Sequence, residues 1–432
     1  GEAILTGKVI RIRTGLDTSD KFPQISDEEL LTKVQQQTFR YFWEGAEPTS
    51  GMARERTSSG ATVTTGGTGF GVMAMTVAAE RGFVTRSEAC QRVQRIVTFL
   101  AERATSYHGA FSHWIDGQTG QTLPFSADDN GADLVETGLL FQGLLTARAY
   151  FDGADAAESK LRADITALWE AVEWDFFTKE GTEKVLYWHW SPDKGWAMNM
   201  PIQGWNEALI VYVLAASSPT HPIGREVYAE GWARGGAMRN GKLFYDTVLP
   251  LGEDYGGPLF WAQYSFLGLN PRGLSDAYAD YWEQVCNHTR INYAYCVDNP
   301  KGYAGYGADC WGLTASDIPD GYTASSPTND RGVIAPTAAL SSMPYTPDES
   351  MAALRFFYYK LGDKLWSDYG FIDAFDLTTG WFDRGMHIAI DQGPIVVMIE
   401  NYRTGLPWNL FMSDKDVQRG LAELGFTVEA GS

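Results

Sequence analysis

Ser26-Asp27-Glu28-Glu29-Leu30-Leu31-Thr32-Lys33-Val34-Gln35-Gln36-Gln37-Thr38-Phe39-Arg40-Tyr41-Phe42-Trp43 is the stretch whose reading decides the fold. Ser26 offers an N-cap, three acids occupy the first turn, and Leu30, Leu31, Val34, Phe39 and Phe42 recur at helical spacing. The helix ends near Trp43, and Pro48, Ser50 and Gly51 mark the loop beyond it. The same alternation of amphipathic helix and Gly- and aromatic-rich loop continues along the chain. It predicts helices near 69–81, 86–104, 133–151, 155–178, 204–217, 222–231, 274–290, 347–361, 392–403 and 414–424. No apolar strand leads into a phosphate-binding loop, and Thr64 to Gly71 is Gly-rich but lacks the lysine of a P-loop. No self-similarity recurs at the period of about 33 to 47 residues that a helical solenoid requires. The pattern predicts an all-α fold of paired helices packed around one axis. Residues 1–25 read as an extended N-terminal arm and 26–432 as a single domain.

The 432 residues, 44% hydrophobic and 13% aromatic, can bury a large core and still line a cleft with rings. Thirty-four basic against 54 acidic residues leave a formal charge of -20 and no basic stripe. Nucleic acid and anionic membrane surfaces are therefore poor partners, whereas a neutral substrate is indifferent to this charge. No run of about 20 apolar residues spans a bilayer, and Gly1 to Asp20 carry no apolar signal core. Cys90, Cys286, Cys296 and Cys310 match no C-x-x-C pattern; a local Cys286–Cys296 disulfide and buried free thiols both fit their spacing. The six histidines form no H-x-x-x-H or H-E-x-x-H pair, and no G-x-S-x-G elbow occurs, which argues against a zinc enzyme and a serine hydrolase.

What remains abundant is carboxylates beside aromatic rings. Residues 186–207, from Leu186 through Trp188, His189, Trp190, Trp196 and Trp205 to Glu207, run into the apolar segment Ala208 to Ala216. Rings suit the apolar faces of pyranoses, and an acid at a helix entrance can be aimed into a ring-lined cavity, so Glu207 is a candidate general acid. A first-turn acid favoured by the helix dipole is the competing reading. Asp129, Asp133 and Glu136 are spaced by four and three, which a helix would bring to one face, either as a solvated acidic start or as a polar pocket wall. Asp391, flanked by Ile388-Ala389-Ile390 and Gly393-Pro394-Ile395, reads either as a cap or as a carboxylate at a cleft floor. Glu400 and Arg403 are spaced for an ion pair.

Further segments are Thr68-Gly69-Phe70-Gly71, Gly109-Ala110-Phe111-Ser112-His113-Trp114, Glu136-Thr137-Gly138-Leu139-Leu140, Asn206-Glu207, Ser218-Pro219-Thr220-His221-Pro222, Gly257-Pro258-Leu259-Phe260, Cys310-Trp311-Gly312-Leu313-Thr314-Ala315, and Ile390-Asp391-Gln392-Gly393-Pro394 with Glu400-Asn401-Tyr402-Arg403. In this order, over residues 27 to 425, the chain resembles the bacterial glucoamylase-like proteins that include endo-β-1,2-glucanases of glycoside hydrolase family 144. The resemblance implies an (α/α)6 toroid of six helical hairpins with a cleft at one end. It implies Glu207 as the acid and Asp391 as the base, with Asp133 and Glu136 holding sugar hydroxyls or competing for one of those roles, and further substrate contacts from Trp205, Phe260, Trp311 and Arg403. The family's inversion of configuration implies a water between base and anomeric carbon and carboxyls about 6.5–9.5 Å apart, a longer separation pointing to a proton relay.

The expectation is a monomeric, periplasmic or secreted bacterial hydrolase of β-1,2-glucan, endo-acting, needing no cofactor, with any bound metal left open. An exo-acting, sophorose-releasing enzyme and a non-catalytic glycan-binding toroid are the alternatives, and a polysaccharide lyase is disfavoured because its anionic substrate needs a basic cleft. Of Trp188, Trp190, Trp205, Phe260, Trp261 and Trp311, two are expected to reach sugar and the rest to be core.

Overall fold

The computed structural model describes residues 15–429. Its helices are α1 (Asp27–Trp43), α2 (Thr65–Arg81), α3 (Arg86–Glu102), α4 (Leu134–Tyr150), α5 (Ala156–Ala171), α6 (Leu209–Ser217), α7 (Tyr281–Asp298), α8 (Pro336–Leu340), α9 (Pro347–Arg355), α10 (Gly362–Leu365), α11 (Ala389–Arg403), α12 (Leu406–Met412) and α13 (Lys415–Glu423). Ser26 caps α1 in a full capping box with Glu29, as the quoted stretch predicts, and Thr85 with Glu88 does the same for α3.

Two kinds of helix form two layers. Helices α2, α4, α6 and α11 are apolar nearly all round and buried along almost their whole length, so they can only lie inside. Helices α1, α3, α5 and α13 carry one buried stripe and a polar face, and each packs outside an inner partner or another outer helix. The inner pair α2 and α4 is drawn together by glycine: a Cβ on Gly143 would sit 2.1 Å from the Gly69 carbonyl oxygen, and one on Gly69 would sit 2.3 Å from that of Leu139. Helix α11 packs on both α2 and α1, so the C-terminal part of the chain returns to the N-terminal part.

The fold is all-α, as expected, with small additions in the loops. Short antiparallel ribbons of two to four residues per strand stiffen the loops, among them Ala132–Asp133 with His189–Trp190 and Ala315–Ile318 with Gly321–Ala324. Several boundaries also move. The helix expected over 274–290 starts at Tyr281, because Asp280 accepts from the Glu283 amide and sets the N-terminus there. The one expected over 155–178 stops at Ala171, and 222–231 yields a π-helical turn, Val227–Trp232. Helices α8 and α12 were not expected; each has a proline in its first turn, Pro336 as the first residue of α8 and Pro407 as the second of α12, where the preset φ suits the helix.

Of the expected N-terminal arm, residues 1–14 lie outside the described residues. The remainder carries no helix before Asp27, and Phe22 stacks on Tyr358 with ring centroids 4.6 Å apart. All four cysteines are buried free thiols, so the Cys286–Cys296 pair is not joined. Among the described residues no helix is long and apolar enough to cross a membrane.

Candidate active site

Glu207 lies just before α6, positioned by local hydrogen bonds. The Asn206 side chain accepts from the Ala208 amide at 2.9 Å and donates to the Gln203 carbonyl at 3.1 Å. Ser265 Oγ donates to the Glu207 carbonyl. This turn uses residues 204–208 as a loop, which is why α6 starts at Leu209 and not near 204 as expected. The Glu207 carboxyl faces a cavity of about 560 Å³. Burial, reinforced by Asp133 and Glu136, pushes it up to about 7.

Asp133 and Glu136 form one wall. Asp133 caps α4 by accepting from the Glu136 amide at 2.8 Å. The ribbon that pairs Asp133 with His189 holds His189 Nε2 3.5 Å from Asp129 Oδ2. His113 stands between the two acids of α4, with Nδ1 3.5 Å from Asp133 Oδ2 and Nε2 3.4 Å from Glu136 Oε1. Burial alone would lower the imidazole, but Glu136, Asp133 and Asp129 outweigh it and raise it to about 9, so His113 is a cation at neutral pH. Burial lifts Glu136 to about 7 against the pull of His113. Asp133 goes the other way, held low by His113 despite its burial. Donor atoms of His113, Asp129 and Asp133 lie within 4.8 Å of one another.

Asp391 does not line the cavity, although Ile388 and Ile390 do; it lies in the first turn of α11, whose dipole favours an anion at that place. Asp391 is 2% exposed and belongs to a cluster of carboxyls drawn from distant loops: Asp317, Asp373 and Asp383. The Asp373 carboxyl adjoins that of Asp391, and its Oδ2 accepts from the Asp317 amide at 2.8 Å. Arg56 is the cation here, its Nη1 3.1 and 2.9 Å from the two Asp317 oxygens. Because the guanidinium engages both oxygens of Asp317, the charge of this cluster is met by Arg56 and by protons. Burial raises Asp391 to about 6, opposed by Asp373 and by the nearby Tyr264 hydroxyl.

Rings and thioethers line the rest: Trp114, Phe125, Trp188, Met198, Met200, Phe260 and Tyr322. Two of the six expected platforms, Trp188 and Phe260, therefore face the cavity. Trp205 and Trp311 do not. Trp205 is 5% exposed and stacks on Phe266 in the core, and Trp311 is fully buried with its indole nitrogen donating to the Glu349 carbonyl. Arg403 is also away from the cleft: it ties the end of α11 to α1 through Thr32, Gln35 and Glu28. Its expected partner Glu400 pairs instead with Arg81, because the buried carboxylate faces α2.

Composition and spacing did not single out Arg56, Asp317, Asp373, Asp383, Tyr264 or Tyr322. Each is an ordinary loop residue in the sequence, made notable only by the neighbours the fold supplies. His189 did carry a signal, lying between Trp188 and Trp190 in the aromatic segment.

The Glycoamylase family model, described as "Putative glucoamylase", matches residues 199–415, just over half of the chain. The chain belongs to the glucoamylase-like family of glycoside hydrolase family 144. As a member of it, the chain superposes on the endo-β-1,2-glucanase of Chitinophaga pinensis, solved with sophorotriose and glucose, with a TM-score of 0.91. The two are 51% identical over 94% of this chain and 99% of that one. It is 48% identical, over 421 residues, to the exo β-1,2-glucooligosaccharide sophorohydrolase of Parabacteroides distasonis. The match takes in 93% of this chain but 58% of that relative's length. An endo-β-1,2-glucanase of Talaromyces funiculosus shares the fold at 13% identity and a TM-score of 0.64.

Proposed function

We propose that this family member hydrolyses β-1,2-glucan to short sophoro-oligosaccharides, with Glu207 as the general acid and Asp391 as the base. The observation that carries this reading is a ring-lined cavity with Glu207 in its wall, pushed up to about 7 by burial, and with Asp391 buried behind the lining residue Tyr264. Its aromatic lining fits the faces of successive glucose rings. In the proposed reaction Glu207 gives its proton to the leaving glycosidic oxygen. Water attacks the anomeric carbon from the opposite face, and its proton passes to Asp391, inverting the configuration. Asp391 is sealed from the cavity surface, so the transfer runs through a water or a sugar hydroxyl. Asp133, Glu136 and the imidazolium of His113 would hold sugar hydroxyls at fixed positions.

The layering of apolar inner helices inside amphipathic outer ones, and the return of α11 to α1, support a six-hairpin (α/α)6 toroid around this cleft. We propose a monomeric enzyme of the bacterial periplasm or exterior. A second reading, exo action releasing sophorose, is favoured by the likeness to the Parabacteroides sophorohydrolase.

The test is incubation of the protein and of Glu207→Gln with linear β-1,2-, β-1,3- and β-1,4-glucans, following reducing ends and product sizes. Cleavage of the β-1,2 polymer alone, abolished in the folded variant, is the expected result. A ladder of products indicates endo action and sophorose alone indicates exo action. Full activity of Glu207→Gln would overturn the acid assignment.

A further inference from the structure

Asp373 takes no part in the reaction as proposed, yet it is one of the most confined acids in the molecule. It is 2% exposed, and it lies in the loop between the strands Gly370–Phe371 and Phe375–Asp376. Its Oδ2 accepts from the backbone of Asp317, its Oδ1 is buried without a hydrogen-bond partner, the Asp391 carboxyl adjoins it, and its own amide donates to the Met386 carbonyl at 2.9 Å. The ionisable groups around the Asp373–Asp391 pair come from every neighbouring element. They are Asp317 on the strand Ala315–Ile318, Asp383 after the strand Trp381–Phe382, Glu55 and Arg56 on the loop before α2, and the phenols of Tyr264 and Tyr322. Five carboxyls thus face one guanidinium. Two adjoining buried carboxyls with so little countercharge cannot both ionise, so one of the pair keeps a proton.

Which one keeps it follows from the backbone. Asp391 lies in the first turn of α11, where the helix dipole stabilises an anion, and the Tyr264 hydroxyl lies beside it. Asp373 has no helix terminus and has Asp317 and Asp383 for neighbours. We propose that Asp373 holds a proton at neutral pH and donates it to Asp391, acting as the positioning residue that orients Asp391 as an ionised carboxylate. One oxygen of Asp391 is thereby engaged, and Oδ2, which has no hydrogen-bond partner in the protein, is left to accept the proton released in the reaction. The inference rests on the reading of Asp391 as the base.

Two substitutions separate this role from a merely structural one. Asp373→Asn keeps a donor toward Asp391, so kcat stays within about threefold of the native value and the acidic limb of kcat/KM does not move. Asp373→Ala removes the donor, Asp391 then stays protonated to higher pH, and the acidic limb shifts upward by about one pH unit with KM little changed. A measurement independent of substrate is carboxyl-carbon NMR of the free protein labelled at aspartate. The Asp373 carboxyl carbon should still report a protonated acid at pH 7, and that signal should vanish in Asp373→Asn. If the native protein cuts no β-1,2-glucan, the hydrolase reading fails while the NMR arm still judges the pair. Equal loss of kcat in both variants with an unmoved limb would overturn the proposal. So would an Asp373 carbon that titrates as an ordinary carboxylate, or stoichiometric calcium or magnesium binding by the native protein that Asp373→Asn abolishes.

Discussion

The amide of Gly66 donates to Glu136 Oε2 at 2.5 Å, and a Cβ built on Gly66 would stand 2.3 Å from that same oxygen. The N-terminus of α2 is therefore the cradle of the Glu136 carboxylate, and only glycine leaves room for it. Gly66→Ala should displace Glu136, cost about 1–3 kcal/mol of stability through overpacking, and lower kcat/KM at least tenfold. Chemical denaturation and glucan kinetics check both arms; native kinetics in a folded variant would show that the contact is dispensable.

The pH dependence has a definite shape. Asp391 must be ionised to accept a proton and titrates at about 6, while Glu207 must be protonated to donate one and titrates at about 7. Activity should rise with pH through about 6 and fall through about 7, a narrow bell with its maximum between the two. A kcat/KM profile at constant ionic strength measures it, and a plateau extending beyond pH 8 would contradict the assignment of Glu207 as acid.

His113 links stability to pH in the opposite sense from a carboxylate. Its folded value, raised to about 9, exceeds the ordinary 6.5, so its contribution is fully present below about 6.5 and is lost as pH rises through about 9. The thermal midpoint of His113→Gln should lie furthest below the native value near pH 6 and converge on it toward pH 9. A gap that is constant with pH would mean that the ring acts by packing alone.

Two tryptophans should behave differently. Trp188 lines the cavity, so Trp188→Ala is expected to raise KM about tenfold or more with stability changed by less than about 2 kcal/mol. Trp311 is core, so Trp311→Ala should cost about 3–5 kcal/mol and leave the KM of the surviving folded fraction unchanged.

Far from the cleft, Glu400 is buried and held by Arg81, Gln35 and Thr404. Arg81→Leu leaves that carboxylate without its cation and should destabilise the protein by about 3–5 kcal/mol without altering kcat. Calorimetry beside kinetics at a temperature below the transition tests this.

The sequence by itself determined the helical class, because caps such as Ser26 with Glu29 and the spacing of Leu30, Leu31, Val34, Phe39 and Phe42 are local properties of the chain. It also marked Glu207, Asp133, Glu136 and Asp391, whose acidic side chains stand out against apolar or aromatic neighbours within a few residues. Two prolines at helix starts, Pro336 and Pro407, were legible signals for α8 and α12 that periodicity passed over in such short segments. Only the tertiary structure decided which rings face the cavity, since Trp205, in the same aromatic segment as Trp188, is core. It alone brought Arg56, Asp317, Asp373 and Asp383 around Asp391, and His113 between Asp133 and Glu136. Those contacts join residues tens to hundreds of positions apart, and the resulting shifts in protonation arise from burial and from charges across space. Neither is a property of any short stretch of chain.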